Sequence, residues 1–349
     1  MRACLLPLLL CASAALREDL PAAADKPNFV LIYTDDLDFD EVGAYRAADQ
    51  PCALAAVKAG LKNQPFAYAD PRMLTPHLDS IARDGALLDR FYICSPVCTP
   101  SRYGILTGRY ASRSPGFLEK NPAGAHANIT WNTPISPSET NIAKSLKALG
   151  YATGIVGKWH NFFRSGERAW KRIPEGADPR DPEIRAKLQA QYADAQAQIR
   201  ECGFDFVERI NIGNTEEVRP AALRFQNMEW HTEGALEFLD RHGKQPFFLY
   251  FPTPIPHGNY AANVFKTRDP LATTAGMLDK APAPQPSRDD VLARLRAAGI
   301  DERNAMGTWQ DDSIGAILKK LEELGVSDNT VVIHISDHQS RGKYTCYEG

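Results

Sequence analysis

Four uninterrupted apolar runs, each the length of one strand, constrain this chain more than any other feature. They are NFVLIY at residues 28–33, YATGIV at 151–156, PFFLYF at 246–251 and TVVIHI at 330–335. A strand that is apolar at nearly every position, rather than at alternate ones, has to bury both faces. Helical patterns fall between the runs. Ile314, Ile317, Leu318, Leu321 and Leu324 form a stripe from about Trp309 onward, and Gly325 supplies the stop. Ile142, Leu146 and Leu149 form another, opened by a capping box at Ser136-Pro137-Ser138-Glu139 and closed by Gly150. APAPQPS at 281–287 reads as a surface loop ending in a helix cap at Ser287. The predicted class is α/β, with 349 residues to build its core and no internal repeat.

The N-terminus is built differently. MRACLLPLLLCASAA has one positive charge, an apolar stretch from Ala3 to about Ala12, and small residues around Ala12-Ser13-Ala14. That is the pattern of a secretory signal peptide, too short to span a bilayer. Residues 1–24 are expected to be this leader, cleaved near 14–15 or 24–25, and residues 25–349 one folded domain. No apolar run of eighteen or more follows, so stable membrane insertion is not expected. A net charge of -3 and a pI near 6.3 offer no basic field for nucleic acid. Export implies an oxidising compartment. Without Cys4 and Cys11, the mature chain keeps Cys52, Cys94, Cys98, Cys202 and Cys346, an odd number. One cysteine then stays unpaired or is chemically special, and the other four can form two disulfides of open connectivity. Asn128-Ile129-Thr130 is a glycosylation sequon for a eukaryotic host.

Chemistry-bearing residues gather just after the apolar runs, where open α/β sheets place their sites. Asp35-Asp36 follow the first run, Lys158 and His160 the second, His257 the third and Asp337-His338 the last. Three carboxylates and an imidazole from two strand ends suit one divalent cation. Oxygen-rich ligation favours Ca2+ or Mg2+, while the histidine leaves room for Mn2+ or Zn2+. Taken singly, Asp-Asp also caps helices, Asp-His also fills solvated turns, and each histidine also suits a structural hydrogen bond. Cys98 lies in SPVCTPSRYGILTGRY, residues 95–110. Pro100 suits the first helical position, which makes Thr99 the cap and sets Cys98 just ahead of an anion-favouring helix N-terminus. Arg102 adds a permanently charged fork for a tetrahedral oxyanion. Cys98 is thus a disulfide partner, a thiolate nucleophile, or a cysteine that does not remain one, and a structural cysteine at a helix start is equally common.

Together these residues bring out a family likeness. CTPSRYGILTGRY resembles the Cys-x-Pro-Ser-Arg motif, followed by Leu-Thr-Gly-Arg, of the type I sulfatases in the alkaline phosphatase superfamily. The likeness also covers PNFVLIYTDD, TPHLDSIARDGALLDRFY, GKWH, CGFDF, PFFLYF with its later Pro-His, DDSIGAILKKLEELGVSDNTVVIHISDH and GKYTCYEG, from about Lys26 to the last residue. It implies a mixed, mostly parallel central sheet sandwiched by helices, within a catalytic domain over 25–349. It implies that Cys98 is converted to formylglycine by a formylglycine-generating enzyme. The resulting gem-diol would attack sulfur with one hydroxyl, assisted by a cation, and expel sulfate through the other. Asp35, Asp36, Asp337, His338 and the converted Cys98 would ligate Ca2+, with Mg2+ as the alternative. Arg102 would hold charge on the metal side of the diol, and Lys158 and Lys343 would bind sulfate. His160 would deprotonate the second hydroxyl, and His257 would protonate the leaving oxygen, a role Lys158 can share.

The implied activity is sulfuric ester hydrolysis on a sulfated glycan or small molecule, in a secreted, periplasmic or lysosomal setting. Two other readings fit the same residues: a phosphoester or phosphonate hydrolase on this scaffold, and a non-catalytic remnant. Three departures from the family pattern are visible. Gln339 stands where glycine is usual, residues 44–73 exceed the common core, and the chain ends at Tyr347-Glu348-Gly349, where a smaller C-terminal sheet domain is usual.

Overall fold

The computed structural model describes residues 26–47, 72–120, 133–163, 170–257, 265 and 267–338. The four apolar runs form β1 (Asn28–Asp35), β2 (Ala152–Lys158), β4 (Phe247–Pro256) and β7 (Thr330–Ser336). A strand without such a run, β3 (Phe206–Asn211), joins them in the order β3-β2-β4-β1-β7. Every pairing in this sheet is parallel. Among the described residues the antiparallel contribution is confined to a separate ribbon of β5 (Ala272–Thr273) and β6 (Gly276–Met277). No described helix is long and apolar enough to cross a membrane.

Because side chains alternate along a strand, each run is divided between two cores. Val30, Ile32, Leu249 and Phe251 pack with Phe238 and Leu239 of α5 (Met228–His242) and with Ile314, Ile317 and Leu321 of α7 (Ala305–Glu323). Leu31, Tyr33, Phe248 and Tyr250 face the other way. They meet Tyr103 and Leu106 of α2 (Cys98–Thr107), Ala143 of α3 (Ile142–Ala148), and Ala195 and Ile199 of α4 (Pro182–Glu201). Full burial of one such aliphatic side chain contributes roughly 1.5–3 kcal/mol. The edge strand β7 departs from this scheme. Val331 and Ile333 are 43% and 39% exposed, so two-sided burial does not extend to the last run.

Helix boundaries are set by hydrogen bonds that local patterns do not fully specify. Ser287 caps α6 (Arg288–Ala297) in a reciprocal box with Asp290, as predicted. Gly325, at φ +68°, follows α7, which starts at Ala305 rather than near Trp309. The Ser136 box forms half of its expected chemistry, with Ser136 N donating to Glu139 at 2.7 Å, but it closes an isolated turn. Glu139 is held by the Tyr103 hydroxyl at 2.5 Å, and Asn141 caps α3 instead by accepting from Lys144 N. The stripe moves accordingly: Ala143 is buried and Leu146 partly so, while Ile142 and Leu149 are exposed. α1 (Pro76–Asp84) takes its cap from another helix, since Asp311 of α7 accepts from His77 N at 3.0 Å and Leu78 N at 2.8 Å.

One irregularity aims the site. Val156 pairs with Glu208 but Gly157 with Ile210, leaving Arg209 as a one-residue bulge at φ +50°. Gly157 has φ +122°, and a methyl group there would lie 2.1 Å from the Pro252 carbonyl oxygen. The Pro252 backbone, held in β4, cannot yield, so only glycine fits just ahead of Lys158. Gly157→Ala should therefore cost about 2–3 kcal/mol or more in urea unfolding. Gly176→Ala, which meets open space, should change stability by no more than about 0.5 kcal/mol.

Candidate active site

A parallel sheet puts all its carboxyl ends on one side, and the residues singled out above arrive there from four neighbouring strands. Asp35 ends β1, and Asp36 follows in a left-handed conformation, φ +65°, which a short polar side chain tolerates. Asp337 follows β7, its amide donating to Thr34 O at 2.8 Å, and its carboxylate accepts from Asp36 N at 3.1 Å. His338 Nδ1 lies 3.0 Å from Asp36 Oδ1, and its Nε2 lies 3.2 Å from the sulfur of Cys98. Ligand atoms of Asp35, Cys98, Asp337 and His338 lie within 4.8 Å of one another, as do those of Asp35, Asp36 and His257. Asp35 Oδ1 is buried and has no hydrogen-bond partner among the described residues. An unshared carboxylate oxygen inside such a donor set fits a divalent cation.

Cys98 occupies the first position of α2, with Val97 ahead of it. The helix thus begins earlier than Pro100 suggested, and Thr99 is not its cap. A proline at the third position is tolerated because first-turn amides have no intrahelical acceptor to lose. Cys98 is a free cysteine with no exposure. Burial, reinforced by the charge of Asp35, pushes its thiol well above the ordinary value, so an unconverted Cys98 is a poor nucleophile. The expected disulfides involve Cys52 and Cys346, which lie outside the described residues, as do Asn128, Gln339 and Lys343.

Two cations are buried against the carboxylates. Lys158 donates from Nζ to Asp35 Oδ2 and to Asn214. Arg102 Nη2 lies 3.4 Å from both Asp35 Oδ2 and Asp337 Oδ2, and Nη1 donates to Lys158 O at 3.1 Å. Burial alone would raise the Asp35 carboxyl, but Lys158, His257 and Arg102 outweigh it and hold that group well below its usual range. Asp337 goes the other way, up to about 7, through burial and the negative charge of Asp35. The two carboxylates therefore do not share the cations equally.

The remaining histidines divide. His257 joins the cluster, its amide donating to Asp35 O at 3.0 Å and its Nε2 lying 3.7 Å from Asp36. His160 belongs to neither ligand-competent group; its Nε2 lies 3.2 Å from Glu217. Several contributing residues receive no role from the sequence, although Ser101 lies within the Cys-x-Pro-Ser-Arg motif. Ser101 bridges the Tyr33 hydroxyl and Asp337 O, each at 2.7 Å. Asn161, directly after GKWH, donates to Thr99 O at 2.9 Å and Thr133 O at 2.6 Å. Asn214 and Glu217 come from the loop after β3, a strand without an apolar run to announce it.

Rat N-acetylgalactosamine-6-sulfatase is 30% identical over 348 residues, covering 95% of this chain and 53% of that protein. Human arylsulfatase D is 25% identical, covering 95% and 57%. Mouse steryl-sulfatase is 36% identical over 163 residues, 44% of this chain and 22% of that one. The chain thus spans about half the length of the first two and matches a smaller part of the third. Among solved structures, yidJ of Bacteroides fragilis shares the fold with a TM-score of 0.53 at 21% identity, over 92% of this chain and 64% of that one. The sulfatase family model matches residues 27–345. With a match over nearly its whole length, the chain belongs to the sulfatase family.

Proposed function

We propose that this pocket hydrolyses sulfate esters, with residue 98 converted to formylglycine and a calcium ion held by Asp35, Asp36, Asp337, His338 and residue 98. The observation that carries the reading is the position of Cys98: buried at a helix start, 3.2 Å from His338 Nε2 and within ligand distance of Asp35 and Asp337. When present, the ion would supply Lewis acidity, and the converted side chain a hydrated aldehyde in place of the thiol. Lys158 and Arg102 supply fixed positive charge for the oxygens of the sulfuryl group, in a site where neither is exposed to water. Lys343 would add a second sulfate-binding cation. His257 protonates the leaving alcohol oxygen, and His160 accepts the proton whose loss releases sulfate.

A sulfated glycan or small molecule is the proposed substrate class. The N-acetylgalactosamine-6-sulfatases matched over most of this chain support a sulfated amino sugar within it. Export with loss of residues 1–24, and maturation by a formylglycine-generating enzyme, complete the reading.

Three measurements test it. From a host with the converting enzyme, the tryptic peptide of residues 91–102 should carry an aldehyde mass at residue 98; an intact thiol there would count against the reading. Ca2+ at a hundredfold its Kd should stabilise the fold by about 2.7 kcal/mol in thermal unfolding, and Asp35→Asn should remove most of that gain. On paired aryl esters, kcat/KM should be greater for 4-nitrophenyl sulfate than for 4-nitrophenyl phosphate. A preference for phosphate would overturn the substrate class.

A further inference from the structure

We infer that Glu217 is a positioning residue that fixes the ring of His160. The inference rests on the sulfate-ester reading, in which His160 is the base. The backbone around His160 is clamped on both sides. Trp159 N donates to Asn211 O at 3.1 Å, and Asn161 O accepts from Ile135 N at 3.2 Å. The Asn161 amide ties the same loop to Thr99 O, one residue from Cys98. His160 itself sits at φ +64°, a left-handed conformation that these neighbours hold in place. The loop is thus held beside residue 98 by backbone bonds and the Asn161 side chain, and what remains open is the ring.

Glu217 closes that choice. The His160 side chain is 1% exposed, and its Nε2 lies 3.2 Å from Glu217 Oε1. An ionised carboxylate only accepts, so Nε2 is the donor. The neutral ring then carries its lone pair on Nδ1, and Nδ1 is the atom that takes up a proton. A flipped ring or the other tautomer would exchange the two nitrogens. Glu217 ends a short turn, Thr215–Glu217, whose backbone bond runs from Glu217 N to Asn214 O at 3.0 Å. Asn214 also accepts from Lys158, so the turn that carries Glu217 is tied to the buried cation. Carboxylate–histidine pairs of this kind orient the ring and select its tautomer.

The test uses the matured enzyme with 4-nitrophenyl sulfate and, independently, nitrogen NMR of histidine-labelled protein. Glu217 is 32% exposed at its side chain, so truncation is tolerable. Glu217→Ala should lower kcat about ten- to hundredfold with KM changed less than about twofold. Glu217→Gln, which keeps an acceptor, should recover most of the loss. In a His160→Ala background, Glu217→Ala should cost nothing further. The ring signals of His160, assigned by their loss in His160→Ala, should show the Nε2–H tautomer in the parent and a changed tautomer balance in Glu217→Ala. An unchanged ring signature would overturn the inference, as would a raised KM with kcat intact, which would make Glu217 a substrate contact. If the signature moves but His160→Ala keeps full kcat, Glu217 still orients the ring and it is the role of His160 in the reaction that fails.

Discussion

Asp35 is buried against Lys158 and Arg102, none of the three exposed to water, and the architecture around them depends on this ion pairing, in which Arg102 also reaches Asp337. Any one of these ions left alone would cost about 3–5 kcal/mol, because a buried charge without a partner cannot recover its lost hydration. The three come from the end of β1, the end of β2 and the first turn and a half of α2. Those elements must dock together or leave a charge stranded. Secondary bonds tighten the arrangement: Arg102 reaches the Lys158 carbonyl, and its guanidinium lies 5.4 Å from the Tyr33 ring centroid. With Asp36 and Asp337 counted, three carboxylates face the two cations Lys158 and Arg102, and that excess of acidic groups is the electrostatic reason the site accommodates a cation.

The backbone departs from regular geometry where the chemistry collects. Asp36 and His160 have positive φ, Gly157 needs it, and Arg209 bulges opposite. Each deviation falls in the carboxyl half of a strand or beyond it, while β1 pairs in continuous register with its neighbours through its apolar stretch. A one-residue irregularity at that point turns the following side chain away from the sheet's alternation and toward the pocket. The sheet can hold this strain because its interior register is pinned by two apolar cores, one on each face.

Much of this is legible from residue patterns, for definable reasons. Asp35, Asp36, Asp337 and His338 stand directly after apolar runs, and burial of those runs forces their ends to a common side. β3 is not legible, because Glu208 and Arg209 interrupt it; Arg209 is the bulge, and its guanidinium pairs with Glu233 and Glu237 on α5 rather than facing a core. With β3 unseen, its loop and the residues Asn214 and Glu217 go unseen too. The Ser136 box is half formed and structurally misplaced: Ser136 N and Tyr103 hold the two oxygens of Glu139 in a turn, and Asn141 caps α3. Ile142 and Leu149 have helical spacing, yet the short α3 buries Ala143 instead, a choice that depends on which face meets Tyr103 and Phe204.

By itself the sequence determines what is local: four strand-length apolar runs, the helical stripe of α7, the cap at Ser287, and acidic or basic residues at strand ends. These follow from periodicity and hydrogen-bonding groups within a few residues of each other. Only the tertiary structure decides contacts between distant segments. The Cys98 sulfur meets His338 across 240 positions, Asp311 caps a helix more than 230 residues away, and Asn161 fastens the His160 loop beside Cys98. No local preference encodes these pairings. They arise because the parallel sheet brings its carboxyl ends together, and because a buried charge or amide must find its partner wherever the chain has delivered one.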